Sequence, residues 1–437
     1  MAVSDPRETY KILDLALRVG ELLLSSGAGA ADVTATMVAL TQHHGLRNAD
    51  IDVTFTLLRA SYQDDPDDMP VLLTRNVATR DIDYDDLTRV HLLIGEVLSN
   101  QITLTEARRS VARIRSTGHY LPSWAIVIGH GLVGGGIAVV LGGGPVITLI
   151  ATVAGVLVTV LTRTMNRTRW PIFYQQTAGG LLATLVALTA TKIDGSLSTS
   201  LVITANIVML LSGVGFMGAI QDALSGFYLT SAARIIEALL ATSGLIAGVS
   251  AGLALAPKVG LTALYDGPGT TGLGAPGYVV VGAVVAAVAF AFTCYAPWRA
   301  LPAIAVTTLF AHVVYLVVAD PRQSQPWAAA CAAVLIGVVS YSVAGRFRVP
   351  PLVVVVPALV PMLPGLLIYR GLSFMSEGDS QGILSLTNAA ATTIALAAGV
   401  ILGEYASQPL KRNVLRVESR LAGPRLVGAL HGHLPKR

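Results

Sequence analysis

Glu237–Gly252 reads EALLATSGLIAGVSAG, and Asn388–Gly403 reads NAAATTIALAAGVILG. Shifted by 151 positions, the two stretches agree at seven of sixteen places, Gly248/Gly399 and Gly252/Gly403 among them. Stretches rich in Ala and Gly can agree by composition, so the preceding segment carries more weight. At a shift of 152, Val208-Met-Leu-Leu-Ser-Gly213 pairs with Val360-Pro-Met-Leu-Pro-Gly365. Each half then ends in an interrupted apolar segment, broken near Gly213 or Pro364-Gly365, followed by an unbroken one. Irregular backbone is tolerated at membrane depth only where it is buried or lines a cavity. Matched interruptions in two related halves therefore point to a solute path.

The rest of the chain fits that frame. A spanning helix needs about 20 mostly apolar residues. Ten segments qualify: Trp124–Leu141, Pro145–Leu161, Pro171–Ala190, Ser200–Ile220, Ala232–Leu255, Tyr278–Ala296, Leu301–Ala319, Trp327–Val343, Leu352–Tyr369 and Ser385–Gly403. Two halves of five follow, residues 121–256 and 275–404. Because five is odd, the second half enters the membrane inverted relative to the first. The expected fold is an α-helical polytopic membrane protein of ten helices in two inverted repeats. A polar N-terminal domain (1–120) precedes it and a basic tail (405–437) follows.

Composition agrees. Of 437 residues 53% are hydrophobic and 13% charged, against roughly 25% charged in soluble domains. Residues 1–120 hold 29 of the 56 charges and are net −5; the remainder is net +9. The excess of cations thus lies in membrane loops and tail, which argues against nucleic-acid binding. Cys294 and Cys331 sit in apolar runs and form no disulfide framework. The start lacks a basic and apolar leader, so no signal peptide is expected.

Lys and Arg in short loops set orientation. With the N-terminal domain inside, inner loops carry Arg163, Arg167, Arg169, Arg234, Arg299, Arg346 and Arg348; outer ones carry Lys192, Lys258, Arg322 and Arg370. Both termini are therefore expected in the cytoplasm, with the chain in the plasma membrane.

Several of these motifs together resemble the threonine/serine exporter family. They are Gly20-Glu-Leu-Leu-Leu-Ser-Ser-Gly-Ala28, the segment from Leu211-Ser-Gly213 through Asp222, Gly226, Arg234 and Glu237-Ala238, and Pro357-Ala-Leu-Val-Pro-Met-Leu-Pro-Gly365 with Tyr369-Arg370-Gly371. Ser212-Gly213 stands where the family pattern has Pro-Gly. The resemblance implies export of threonine, serine or similar small solutes driven by protons. Dicarboxylate export by related two-chain pairs is the alternative. A membrane sensor or membrane-embedded enzyme is the rival of another class, but the spans carry only scattered His, Asp and Cys.

No G-x-x-x-x-G-K-[ST] phosphate cradle is present, and no cofactor is expected. Ionisable residues inside spans are candidates for function by default. Glu237 is the candidate proton-coupling carboxylate, its bland alternative being a pair with Arg234 on the same helix face. His130 and His312 read as packing histidines. An amino-acid carboxylate would dock on backbone N–H groups at the breaks, around Ser212, Gly213, Pro364 and Gly365. Glu237 or Asp222 would take the ammonium, and Asn206 or Asn388 the side-chain hydroxyl. The expected partners are the solute, protons and the lipid bilayer, with a homo-oligomer left open.

The N-terminal domain reads as α+β. Helices are expected over Thr9–Leu24, Ala31–His43, Asp85–Asn100 and Thr105–Ser116, and strands over Ile51–Leu57 and Met69–Val77. The acidic Asp64–Asp68 cluster reads as a solvated turn, and His43-His44 as adjacent side chains pointing apart. Regulation or gating of the inner mouth is the expected role.

Overall fold

The computed structural model describes residues 6–65, 67–78, 80–194, 197, 199–207, 210–211, 213–259, 276–319, 325–376 and 378–412. Ser212, residues 260–275, residues 320–324 and residues 413–437 lie outside the described residues, as do Arg322, Glu377 and most of the basic tail.

The polar N-terminal part comprises α1 (Pro6–Ser25), α2 (Ala30–His43), a three-stranded antiparallel sheet and two further helices, α3 (Tyr84–Leu98) and α4 (Leu104–Ser116). The strands are β1 (Asp50–Thr54), β2 (Leu57–Tyr62) and β3 (Val71–Asn76). The apolar stripe of α1 predicts a buried helix, and Ile12, Leu15, Ala16, Val19 and Leu23 are all buried. The single strand expected over Ile51–Leu57 is instead a tight hairpin. Thr54 pairs with Leu57, and Phe55 takes a left-handed φ of 49° in the two-residue turn. The turn holds no Gly, Asn or Asp, the usual signals for such a φ, so the alternating pattern ran straight through it. Asp64–Asp68 falls in the β2–β3 connection, with Tyr62 Oη donating to Asp64 at 2.9 Å.

One buried carboxylate ties three elements together. Asp14 on α1 accepts hydrogen bonds from Arg108 of α4 (2.7 Å), Arg75 of β3 (3.0 Å) and Arg18 (3.0 Å). Burial pushes its carboxyl up, but Arg108, Arg18 and Arg75 outweigh that and hold it below the ordinary 3.8. A depressed folded value means stability present above that ordinary value and lost as pH falls through the lowered one. Asp14→Asn is expected to cost about 1–3 kcal/mol at pH 7, modest because the arginines remain partly solvated. It should also flatten the acid limb, as read by thermal unfolding from about pH 5 down to about pH 2.

The apolar part begins with α5 (Ser123–Val140), α6 (Pro145–Arg167) and α7 (Ile172–Ile193). α8 (Thr199–Ile207), α9 (Gly213–Leu224) and α10 (Tyr228–Leu255) follow. The second set is α11 (Pro276–Thr293), α12 (Leu301–Val318), α13 (Gln325–Phe347), α14 (Leu352–Leu359), α15 (Gly365–Ser376) and α16 (Gln381–Arg412). Seven of the described helices are long and apolar enough to cross a membrane, and α14 with α15, bent by 45° at their break, makes an eighth. That describes a polytopic membrane protein. α7 has the length, but Gln175, Gln176 and Lys192 dilute its apolar run, while α8 and α9 are individually too short.

Packing repeats between the two sets. α10 lies along α7, and α16 along α13. Gly248 leaves no room for a Cβ against the Thr177 carbonyl, nor does Gly403 against that of Val334. α5 meets α11 at another close approach, where a Cβ on Gly136 would sit 2.7 Å from Ala286 N and one on Gly282 2.7 Å from Gly136 O. Without a hydrophobic force between helices in lipid, such small residues allow the backbone contact that drives association.

Candidate transport site

Two interruptions define the centre. α8 stops at Ile207 and α9 starts at Gly213; α14 runs through Pro357 into a 3-10 turn at Val360–Met362, and α15 starts at Gly365. The proline-rich break is explained by missing N–H donors at Pro357, Pro361 and Pro364. The two breaks face each other reciprocally. A Cβ on Gly213 would stand 2.9 Å from Leu363 Cβ, and one on Gly365 2.8 Å from Leu211 Cβ. Leu211 and Leu363, like Gly213 and Gly365, are the residues paired by the shift of 152. The neighbours exchange in the same way: α9 packs on α16, and α15 on α10. The first turns of α9 and α15 thus begin beside one another, and such turns leave N–H groups without intrahelical partners.

Asn206 sits one residue before the end of α8 and is 1% exposed. Its Nδ2 donates to Ala183 O at 3.1 Å, while Oδ1 is shielded from solvent with no partner among the described residues. Asn388, on the second turn of α16, is exposed. His312 is 2% exposed and stacks on Tyr315 with ring centroids 5.6 Å apart. His130 bonds the Ile126 carbonyl at 2.9 Å, the ordinary arrangement of a satisfied helical histidine.

The charged candidates gather elsewhere, where α9 ends and α10 begins. Asp222 is 2% exposed. Its Oδ2 accepts from Arg234 at 2.6 Å, and its Oδ1 accepts from the backbone N–H of Ala30 at 3.0 Å, the first residue of α2. A carboxylate at a helix N-terminus is favoured by unpaired N–H groups and the helix dipole. Arg234 therefore pairs with Asp222; among the described residues it forms no ion pair with Glu237. Glu237 itself is exposed on α10.

The N-terminal part docks on this same end of the helices. Phe55 N–H donates to Thr230 Oγ1 of α10 at 3.0 Å. Tyr84 N–H donates to the Cys294 carbonyl beyond α11 at 2.8 Å, and Tyr120 Oη to that of Ala296 at 3.2 Å. His119 pairs with Asp83 at 3.1 Å and stacks on Tyr295. A continuous apolar core joins α1–α4 to Ala291, Ala296, Ala300 and Val353. Nearby Asp86 is pushed up to about 6 by burial and the Asp83 charge.

Two residues escaped the reading of the sequence. Glu404 on α16 is 3% exposed, a buried carboxylate one residue beyond the expected end of the tenth span; extending that window would have found it. Arg80, between β3 and α3, carries no sequence signal that separates it from other loop arginines.

A family model described as "Putative threonine/serine exporter" matches residues 14–256, and a second, "Threonine/Serine exporter, ThrE", matches 279–406. The chain belongs to the threonine/serine exporter family. A "Probable threonine/serine exporter" of Mycobacterium tuberculosis (strain ATCC 25618 / H37Rv) is 33% identical over 430 residues, covering 96% of this chain and 81% of that protein. The "Threonine/serine exporter" of Corynebacterium glutamicum is 31% identical over 430 residues, covering 94% and 85%. No solved structure matches the chain. The family is one of transporters, not enzymes.

Proposed function

We propose that the protein is a secondary carrier exporting threonine, serine or similar small amino acids across the plasma membrane in exchange for protons. The observation that carries this reading is the reciprocal contact of the two breaks, Gly213 on Leu363 and Gly365 on Leu211. Two equivalent broken helices meeting about a shared axis suit a solute site whose access alternates as one half rocks against the other. The names of the two relatives supply the substrate class.

In this reading, ten spans form two inverted repeats, α5–α10 and α11–α16, with each broken pair counted as one span. The N-terminal part is a cytoplasmic domain: it caps the end of the helices where Arg163, Arg234 and Arg299 lie, the side a positive-inside bias makes cytoplasmic. The tail lies on that side too. The substrate carboxylate docks on N–H groups at the starts of α9 and α15, at Gly213 and beyond Pro364-Gly365. Asn206, whose Oδ1 has no partner among the described residues, receives the side-chain hydroxyl, and Asn388 serves the outer path. Glu237, toward the start of α10, takes the ammonium as the solute passes and the proton in turn. A single carboxylate that holds one or the other makes exchange obligatory. Asp222 is the weaker ammonium ligand, because both its oxygens are engaged by α2 and Arg234.

Counterflow in liposomes tests the reading. Labelled threonine or serine should enter faster under an imposed pH gradient; movement of succinate alone would shift the substrate class to dicarboxylates, and no movement by folded protein would remove the carrier reading. At the breaks, Gly365→Val is expected to cost about 1–3 kcal/mol by overpacking and to stop flux. Adding Leu211→Ala should recover part of both, and a double variant no better than the single one would argue against the contact.

A further inference from the structure

The N-terminal part brings an arginine to the membrane helices. Arg80 lies with its guanidinium carbon 5.4 Å from the centre of the Phe55 ring. Phe55 is the turn residue whose N–H is fixed on Thr230, at the start of α10. Thr230, Arg234 and Glu237 stand at i, i+4 and i+7 and so share one face of that helix. Arg80, Glu237, Arg234 and Asp222 are thereby gathered at one junction.

These four charges are not equivalent. Asp222 and Arg234 neutralise one another at 2.6 Å. Arg80 and Glu237 have no ion-pair partner among the described residues, although the charges of Asp222 and, after it, Glu237 reach the guanidinium. Arg80 Nη2 is shielded from solvent and bonds to nothing among the described residues. Leaving a guanidinium N–H desolvated and unpaired is costly unless another group supplies the acceptor.

The geometry points to an entry site for a zwitterionic α-amino acid at this junction, with Arg80 receiving the α-carboxylate and Glu237 the α-ammonium. This rests on the amino-acid reading above and assigns the N-terminal part a share in substrate binding. A guanidinium fork matches a carboxylate with two parallel N–H donors. The ammonium then faces Glu237, which forms no ion pair with an arginine among the described residues. The Phe55 ring forms one wall and holds the arginine by its face. Burial lowers the Arg80 guanidinium from its ordinary value, while Asp222 and Glu237 oppose that, and an arginine so placed stays charged. From here the solute passes on to the breaks at Gly213 and Gly365.

The test is threonine counterflow by the full-length protein in liposomes, with half-saturation measured separately on each face. Unlabelled threonine and threonine amide, which lacks the carboxylate, serve as competitors. For the wild type, threonine competes at the face bearing the N-terminal part and the amide does not. Arg80→Gln should raise half-saturation at that face about 30-fold, the worth of a charge-assisted pair of hydrogen bonds, and erase the preference over the amide. The opposite face should change little. Arg80→Lys keeps charge without the fork and should fall between; it decides the matter where Arg80→Gln does not fold. Wild-type half-saturation and an intact preference in these variants would overturn the inference. So would equal losses at both faces with the preference kept, which would make Arg80 a packing residue. A wild-type protein that carries no amino acid would overturn the functional reading and this inference together; one that carries threonine with Arg80 immaterial would overturn the inference alone.

Discussion

Glu237→Gln is expected to abolish the acceleration of amino-acid flux by a pH gradient while the protein remains folded. The amide is isosteric but can neither release a proton nor balance an ammonium, so both states of the exchange lose their partner. Glu237 is exposed on α10 and forms no ion pair among the described residues, so stability should shift by no more than about 0.5 kcal/mol. Thermal unfolding in detergent beside counterflow in liposomes separates the two effects. Coupled flux at the wild-type rate would remove Glu237 from the mechanism. Glu404, buried on α16, would then be the carboxylate to replace next.

Asp222→Ala is expected to have the opposite profile, a large loss of stability. Asp222 and Arg234 are 2% and 13% exposed at their side chains. Removing one partner of such a buried pair costs about 3–5 kcal/mol, because the other charge stays behind. The first N–H of α2 loses its acceptor as well, worth about 1 kcal/mol. The N-terminal part should then loosen from the helices, visible as faster proteolysis between residues 117 and 122. Asp222→Asn keeps an oxygen for Ala30 and loses only the charge, so it should fall between. Pairing Asp222→Ala with Arg234→Met should recover part of the loss. A single variant as stable as the wild type would show that the pair contributes nothing.

The two outcomes differ because of a distinction invisible in the chain. Glu237 and Asp222 are both lone acidic residues at the edge of apolar segments. The expected alternative for Glu237 was a pair with Arg234, three residues away on one helix. The folded chain gives Arg234 to Asp222, from the preceding helix, and adds a ligand from α2, 192 residues earlier. Helical spacing names neighbours on one helix but says nothing of what another element brings.

Other features were legible for definite physical reasons. An apolar run of the length of a bilayer is a property of composition, so the helices α5, α6 and α10–α13 stand where hydropathy put them. Prolines without N–H groups mark the break before Gly365. The amphipathic stripe of α1 is local, and its burial followed. The hairpin at Phe55-Thr56 was not legible. Its left-handed residue is a phenylalanine, and the bond to Thr230 that helps fix it comes from the membrane part.

By itself the sequence determined that the chain is a polytopic membrane protein with a polar N-terminal part, and where its helices are interrupted. Those properties follow from the free energy of transferring each segment between water and lipid, and from backbone chemistry at Pro and Gly. Only the tertiary structure decided that the two interruptions touch, that Asp222 belongs to a docking pair, and that Arg80 is held on the Phe55 ring at the start of α10. Each depends on close approach between residues far apart in the chain, and close approach is set by packing.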